Sequence, residues 1–561
     1  MKKAGLLALL FTIHGSLYAD IQRNDALLLN KENLATPTNG TISGANKAMG
    51  VQNLIDGRPS TMAEINHADK EQIDNFDGHT RYNGKINAWL QYEFNTPTVI
   101  TAYALGMTTV TNSDSRPICW ELKASNDEQH WVTLDIRHNA ISKQVDFSEE
   151  RYTLNRSEAV ASYAKIADRM LSFCEKNLER PQGSDGLYWI SKWAVDPAKR
   201  NEDWGGYWWA AHAIDNYLDH YDRTKKSRDL RKIAQLLSGA QAKNDNTLIN
   251  HYYDDMEWMA LALLRACDIN ANLNRQYMPK VKFLFNDIIG GWSDVEGGGI
   301  HWNKALNGDG KTKNACSNAP AMILAARLYQ HTGEKEYLDW AKRIYQFMYD
   351  ECRFPDGVVK DHTANDNHEV TFSYNQGTWV GGLLELYKIT GEEHYRQTAT
   401  SLMDFLLFGK WYSPRGIMSE RLNYNQADGG LFKGIFIRYL TQWILSGKLD
   451  EERQFRYTEW LLEQARSASL TAVNKTWYII NPSWTEQYHI DSDEHDTSRQ
   501  QTGLMLMEAV EKLRRSGIIN KNYGISSPYY GKPFRYYRLY ITETQNSDNI
   551  MLGEFKLFSN S

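Results

Sequence analysis

In "HYYDDMEW", residues His251 to Trp258, Asp254 and Asp255 stand side by side among aromatic rings, just before an apolar run with helical spacing. Adjacent acids in such surroundings repel each other and lose hydration. Two roles fit them. One is chemical: a carboxylate serves as nucleophile or base and a carboxylic acid as proton donor, so a pair can do both jobs. The other is architectural: Asp254 and Glu257 have the spacing of a capping box, and Asp255 suits the positive end of a helix.

Other residues with useful chemistry recur along the same part of the chain. "WGGYWW" sets Trp204, Tyr207 and Trp208 beside glycines that allow close backbone approach. "GGGIHWNK" places Gly297, Gly298 and Gly299 before His301, Trp302 and Asn303, and further on come Tyr374, Asn375, Gln376 and Lys433. Each of these is as good a packing residue or loop anchor as a ligand contact. The chain carries 18 Trp and 32 Tyr, many next to Asn, Asp, Gly or Gln, a combination that suits stacking on sugar rings but that a large Tyr-rich helical core would also give.

Several functions are disfavoured. The net charge of -6 over 561 residues, with no basic tract, argues against nucleic acid. The glycine run lacks the Lys-Ser or Lys-Thr of a phosphate loop, and no HExxH or clustered Cys-His set marks a catalytic metal. The five cysteines, Cys119, Cys174, Cys267, Cys316 and Cys352, are widely spaced and odd in number, so buried packing is expected for most of them. No cofactor is required on this reading, and the one option for calcium is a structural ion at Asp56, where a turn-forming Asp-Gly is the commoner reading.

The elements that must position these residues change type along the chain. Lys2 and Lys3, an apolar stretch and "GSLYA" read as a secretory leader, residues 1–19, implying export to the periplasm or beyond, with cell-surface association open. Residues 25–155 read as short strands with turn signals, among them "AWLQYEF", "VITAYALGM", "CWELKASND" and "HWVTLDI", predicting a β-sandwich. Residues 156–520 read as twelve helices, the first behind a cap at Ser157, and an even set of paired helices is what a closed double ring needs. Residues 530–561 return to strand alternation in "FRYYRLYI". Two strands do not make a stable domain, so they are expected to complete the first sandwich around an inserted helical domain; an appended hairpin is the alternative. No other run is long and apolar enough to span a bilayer, and a monomer is expected.

The outer segments resemble a discoidin, or coagulation factor 5/8 type C, domain through "NLIDGRPST", "AWLQYEF", "ASNDEQHW", "RYYRLYI" and "LGEF". The helical part, roughly Ser157 to Ser516, resembles glycoside hydrolase family 76 through "GGYWWAAHAI", "YYDDMEWMALALLRA", "GGGIHWNK", "KTKNACSNAP", "YNQG" and "LFKGIFIRYL". The resemblance implies a multidomain protein, an all-α (α/α)6 barrel inserted into or flanked by an all-β discoidin-like sandwich. It also implies a retaining endo-α-1,6-mannanase acting on fungal α-mannan, with Asp254 as nucleophile and Asp255 as acid/base. Candidate substrate contacts in its motifs and beside the pair are Trp204, Tyr207, Trp208, Asn250, Tyr252, Tyr253, His301, Trp302, Asn303, Asn314, Asn318, Tyr374, Asn375, Gln376, Phe432 and Lys433. Retention needs carboxyl groups about 5–5.5 Å apart. In a strand the two side chains would point to opposite faces, whereas at a helix start they diverge by about a third of a turn. His301 stands where the family often has another aromatic, which leaves the shape of one subsite open. Hydrolysis of another α-mannose glycan, or binding without turnover, are the alternatives.

Overall fold

The computed structural model describes residues 33–45, 48–49, 51–55, 63–66, 72–76, 79–82, 88–106, 117–138, 149–155, 162–306, 312–409, 412–413, 416–420, 427–487, 495–544, 549–552 and 554–559. The expected leader, the Asp56 loop and the cap at Ser157 lie outside these residues. The chain divides into two units, one made of residues 1–72, 82–156 and 526–561, the other of 73–81 and 157–525.

In the first unit, strands β1 (Gly40–Gly44), β2 (Trp89–Thr98), β3 (Ala102–Gly106), β4 (Pro117–Ser125), β5 (Val132–Arg137), β6 (Glu149–Thr153), β7 (Phe534–Thr544) and β8 (Glu554–Phe558) build two antiparallel sheets. Their orders are β1-β2-β7-β4-β5 and β6-β3-β8. The carboxyl-terminal β7 therefore lies between β2 and β4, pairing Leu539 with both Leu90 and Leu122. Alternation sets the faces: Leu90, Tyr92 and Phe94 of β2 and Tyr537, Leu539 and Ile541 of β7 turn into a core shared with Leu105, Phe555 and Leu557 of the smaller sheet.

The second unit holds twelve α-helices among the described residues: α1 (Tyr163–Phe173), α2 (Tyr207–Thr224), α3 (Ser227–Lys243), α4 (Tyr253–Cys267), α5 (Ala271–Ile289), α6 (Ala319–Thr332), α7 (Lys335–Glu351), α8 (Ser373–Thr390), α9 (Glu393–Phe408), α10 (Gly429–Leu445), α11 (Glu451–Ser467) and α12 (Thr497–Arg515). The even-numbered helices pack in succession, and α12 returns onto α2 to close an inner ring. The odd-numbered helices pack outside it, an (α/α)6-type arrangement. Composition explains the two layers. Helices α8 and α10 are buried along most of their length and apolar or small on every side, while α3 and α7 bury one stripe and expose charge elsewhere. The observed cap of α1 is Ser162, whose Oγ accepts the Lys165 N–H at 3.4 Å. Glycine permits the tightest inner contact: a Cβ at Gly377 would sit 2.7 Å from the Phe436 Cα, so α8 and α10 meet backbone to backbone there.

The inner helices run parallel. Their amino-terminal turns share an aromatic cluster, in which Trp208 of α2 lies 6.5 Å from Trp258 of α4 and 6.4 Å from Phe432 of α10. Their carboxyl-terminal halves share an ion network. Asp219 of α2 meets Arg265 of α4 at 2.6 Å, Arg438 of α10 at 3.0 Å and Lys512 of α12 at 2.5 Å. Burial pushes the Asp219 carboxyl up, but these three cations outweigh it and hold it well below the usual range. A small sheet from Glu179–Gln182, Gly186–Trp193 and Asn201–Trp204, joined by His495–Asp496, links α1, α2 and α12. Among the described residues no helix is long and apolar enough to cross a membrane.

Candidate active site

Helix α4 begins at Tyr253, with Tyr252 at its cap position and no side-chain cap bond. Asp254 and Asp255 therefore occupy the first turn, where unpaired backbone N–H groups gather. The alternative, a capping box between Asp254 and Glu257, does not form. Instead Glu257 turns inward, 0 % exposed, where burial first and then the Asp254 charge push its carboxyl well above the usual range. The loop before the helix is clamped by its neighbour: Tyr253 N–H donates to the Trp302 carbonyl and Lys304 N–H to the His251 carbonyl, both at 3.1 Å. That clamp brings the Trp302 indole to the first acid.

The two acids then meet different surroundings. Asp254 Oδ2 accepts the Trp302 Nε1–H at 3.4 Å, and the Cys316 thiol and first-turn backbone N–H groups also bond to this carboxylate. Burial still outweighs those donors, and Asp254 is pushed up to about 6. Asp255 receives no donor among the described residues. Burial, then the charges of Asp254 and Asp428, push it well above the carboxylate range. One helical turn thus carries two acids in unequal surroundings, of which the second is the harder to ionise. The Trp302 bond has a measurable share in this. Trp302→Phe removes a donor to the charged form, so Asp254 rises and the acid limb of kcat/KM moves to higher pH, by about half a unit; pH profiles at fixed ionic strength check it.

Aromatic rings surround the pair. Tyr252 lies 5.1 Å from Trp302 on one side. On the other, Phe432 stacks on Tyr374 at 4.0 Å and 21°, and Phe372 lies 5.3 Å from Phe432. The Tyr374 hydroxyl also bonds to Cys316, which links this wall to Asp254. Trp208 and Trp209 both donate from Nε1 to Asp428 Oδ1, each at 3.0 Å, bringing a third carboxylate to the rim. Beneath them His212 is buried and pushed down to about 3, chiefly by burial, so it is neutral. The set can bind a chain of apolar-faced, hydroxylated rings and present it with one nucleophile and one acid.

The family model for glycosyl hydrolase family 76 matches residues 158–521. The chain belongs to glycosyl hydrolase family 76. Among solved structures, the GH76A alpha-1,6-mannanase of Salegentibacter sp. HEL1_6 is 32% identical, with a TM-score of 0.57, covering 63% of this chain and 100% of that one. An inactive variant of that enzyme, two consecutive aspartates replaced by alanine, was solved with alpha-1,6-mannotetrose; it too is 32% identical, with a TM-score of 0.56, covering 62% of this chain and 98% of that one. Among curated relatives, the mannan endo-1,6-alpha-mannosidase DCW1 of Candida glabrata is 25% identical over 353 residues, 57% of this chain and 76% of that protein. DCW1 of Saccharomyces cerevisiae is 27% identical over 316 residues, 50% of this chain and 68% of that protein.

Within this family 76 chain the expected contact residues separate into two groups. Trp208, Tyr252, Trp302, Tyr374 and Phe432 surround the pair as described. The others, apart from Tyr253 and Trp204, have polar side-chain atoms engaged inside the protein. Tyr207 donates to the Leu248 carbonyl at 2.6 Å, although the Asp255 charge still reaches it and, after burial, raises its hydroxyl. Asn250 donates to Asn244 at 3.0 Å and accepts the Tyr252 N–H at 2.8 Å. Tyr253 lies against Gly291 with Lys304 over its ring at 5.6 Å. Asn303 accepts the Ala305 N–H at 2.9 Å, and Asn314 accepts the Thr312 hydroxyl at 2.5 Å. Asn318 grips both sides of Ile300, accepting its N–H and donating to its carbonyl at 2.9 Å. Asn375 donates to Asp361 at 3.0 Å, and Gln376 holds the Val359 N–H and carbonyl at 2.8 Å. The Lys433 ammonium donates to the Pro482 carbonyl and lies 4.2 Å over Trp484. Burial pushes Lys433 down to about 8, against the charges of Glu420 and then Glu486. His301 Nε2 is 3.2 Å from the Ser293 hydroxyl, and Trp204 is half-buried in the small sheet.

Sequence reasoning missed Asp428 and the part played by Cys316. Asp428 precedes "GGLFKG" and reads as a turn residue, and all five cysteines are buried and free. Only the fold shows that one of those thiols touches Asp254.

Proposed function

We propose that this family 76 chain is a retaining endo-α-1,6-mannanase acting on the backbone of fungal α-mannan. Asp254 attacks the anomeric carbon and forms a mannosyl ester with inversion; Asp255 gives its proton to the departing O6. Asp255 then takes a proton from water, the water attacks the ester with a second inversion, and the product keeps the α configuration. The observation that carries this reading is the unequal treatment of neighbouring acids, donors for Asp254 and two facing carboxylates for Asp255. It is supported by the relative whose paired aspartates were replaced in an inactive variant, and by the α-1,6-mannotetrose bound there. Digestion of debranched yeast mannan tests it: internal cleavage to short oligosaccharides, with the α anomer formed first by NMR, is expected. Binding without turnover, or the β anomer first, would refute it.

We also read the β unit as a discoidin-like sandwich whose last strands follow the inserted helical domain, residues 156–520. Support comes from β7 lying between β2 and β4 and from the core that both sheets share.

A further inference from the structure

The loop between α5 and α6 is folded around a lysine. His301 N–H donates to the Gly291 carbonyl and Ser293 N–H to the Gly299 carbonyl, both at 3.1 Å, which makes residues 291–301 a short hairpin. At its tip Glu296, Gly297, Gly298 and Gly299 all have positive φ, at 56°, 85°, 110° and 97°. Such a run is not one that the local chain prefers, so it has to be fixed from outside the hairpin. Lys313 does this. It is 1 % exposed, and its ammonium donates to the Ser293 carbonyl at 2.9 Å and to the carbonyls of Val295 and Gly298. Three carbonyls thus take the full donor complement of the side chain.

The segment that carries the lysine is anchored in turn. The Lys313 carbonyl accepts the Thr363 N–H at 3.2 Å, and the Thr312 carbonyl accepts the Trp302 N–H at 3.0 Å. One segment therefore grips the tip of the hairpin through a side chain and its exit through the main chain, and from that exit Trp302 Nε1 reaches Asp254 Oδ2 at 3.4 Å. We propose that Lys313 is a positioning residue of the reaction: its ammonium does in this loop what a bound cation would, and by fixing the hairpin it sets the Trp302 indole on the Asp254 carboxylate. The proposal rests on the assignment of Asp254 as nucleophile. Packing alone does not account for the lysine. An ammonium loses hydration on burial, whereas an apolar side chain of the same length would fill the space without that penalty. What the apolar chain would lack is the charge on which three carbonyl dipoles converge, with Glu296 and Asp294 of the hairpin placing negative charge nearby.

Lys313→Met keeps the stem and removes the charge. Hydrogen exchange across residues 291–304, followed by mass spectrometry, is expected to quicken about tenfold or more, and kcat/KM on debranched mannan to fall about tenfold, through kcat more than KM. Unchanged exchange in the hairpin overturns the proposal. In a Trp302→Ala background the same substitution lowers kcat/KM by less than about twofold, because the side chain it acts through is gone. A loss there as large as in the parent would assign the effect to general loosening and likewise overturn it. Lys313→Ala covers the case in which the Met variant does not fold, since it leaves a carbonyl-lined hole the size of n-propylammonium. Added amine raises its kcat/KM about fivefold or more, and 1-propanol at the same concentration does not; no recovery, or equal recovery with the alcohol, overturns the proposal. Failure of the underlying assignment looks different: Asp254→Asn would then turn mannan over at a near-normal rate, while exchange across the hairpin would still quicken in Lys313→Met.

Discussion

Replacing Asp254 by Asn lowers kcat/KM on debranched yeast α-mannan by about 10⁴-fold or more, because an amide cannot form the covalent ester and no second route of similar barrier is available. The fold survives the change. Asn is isosteric with the acid, and the Trp302 indole at 3.4 Å keeps an acceptor. A loss confined to kcat/KM, with mannan binding preserved in calorimetry, is the expected pattern. Near-normal turnover would remove Asp254 from the chemistry.

The second large effect belongs to Asp255. Asp255→Ala lowers kcat on mannan by about 10²–10⁴-fold, since the departing O6 of mannose needs a proton. An aryl oligomannoside with a good leaving group loses much less in its first step. Azide, which needs no general base, then attacks the ester and restores turnover, giving the α-mannosyl azide by two inversions. The same anion added to Asp254→Ala would enter in place of the nucleophile and give the β azide. The pair of products therefore assigns both residues, and exchanged products would reverse the assignment.

Stability carries the opposite sign. Both carboxyls are raised in the folded protein above their unfolded values near 4. Their contribution is fully present below pH 4 and is lost as pH rises through the folded values, because the ionised forms are held in a partly dry site beside each other. Asp255→Asn is accordingly more stable than wild type at pH 7, with Tm higher by about 1–3 °C, and the difference vanishes near pH 4. A site that destabilises its own fold at neutral pH is what a functional carboxylate pair produces.

Much of this was legible in the sequence for specific reasons. Alternation in "AWLQYEF", Ala88–Phe94, announces a strand, and the structure has one from Trp89 that runs on through the Pro-containing stretch to Thr98, where the sequence suggests a turn. Twelve helical repeats announce a double ring, because apolar and small residues on every side of α8 and α10 require neighbours all round. Asp254 and Asp255 stood out because acids rarely sit among rings. Less legible was which polar residue faces the groove. Asn318 and Gln376 carry the side chains of a sugar binder, but each grips a loop backbone at both ends, a pairing set by residues far away in sequence. Lys433 is drawn to Glu420 and the Pro482 carbonyl for the same reason. Asp428 shows the converse, a turn residue by local pattern that becomes a rim carboxylate only when α10 closes against α2. The small sheet at Gly186–Trp193 escaped notice because its strands are short and its edge partner, His495–Asp496, comes some 300 residues later.

The central claim is the division of labour within one helical turn, and trapping the covalent intermediate tests it most directly. An α-1,6-mannobiosyl fluoride, carrying a second fluorine to slow hydrolysis of the ester, is incubated with the enzyme, and the labelled peptide is sequenced by mass spectrometry. The account predicts one label per chain, on the Asp254 carboxyl, with none formed in Asp254→Asn. A label on Asp255, or inactivation without any ester, would contradict it.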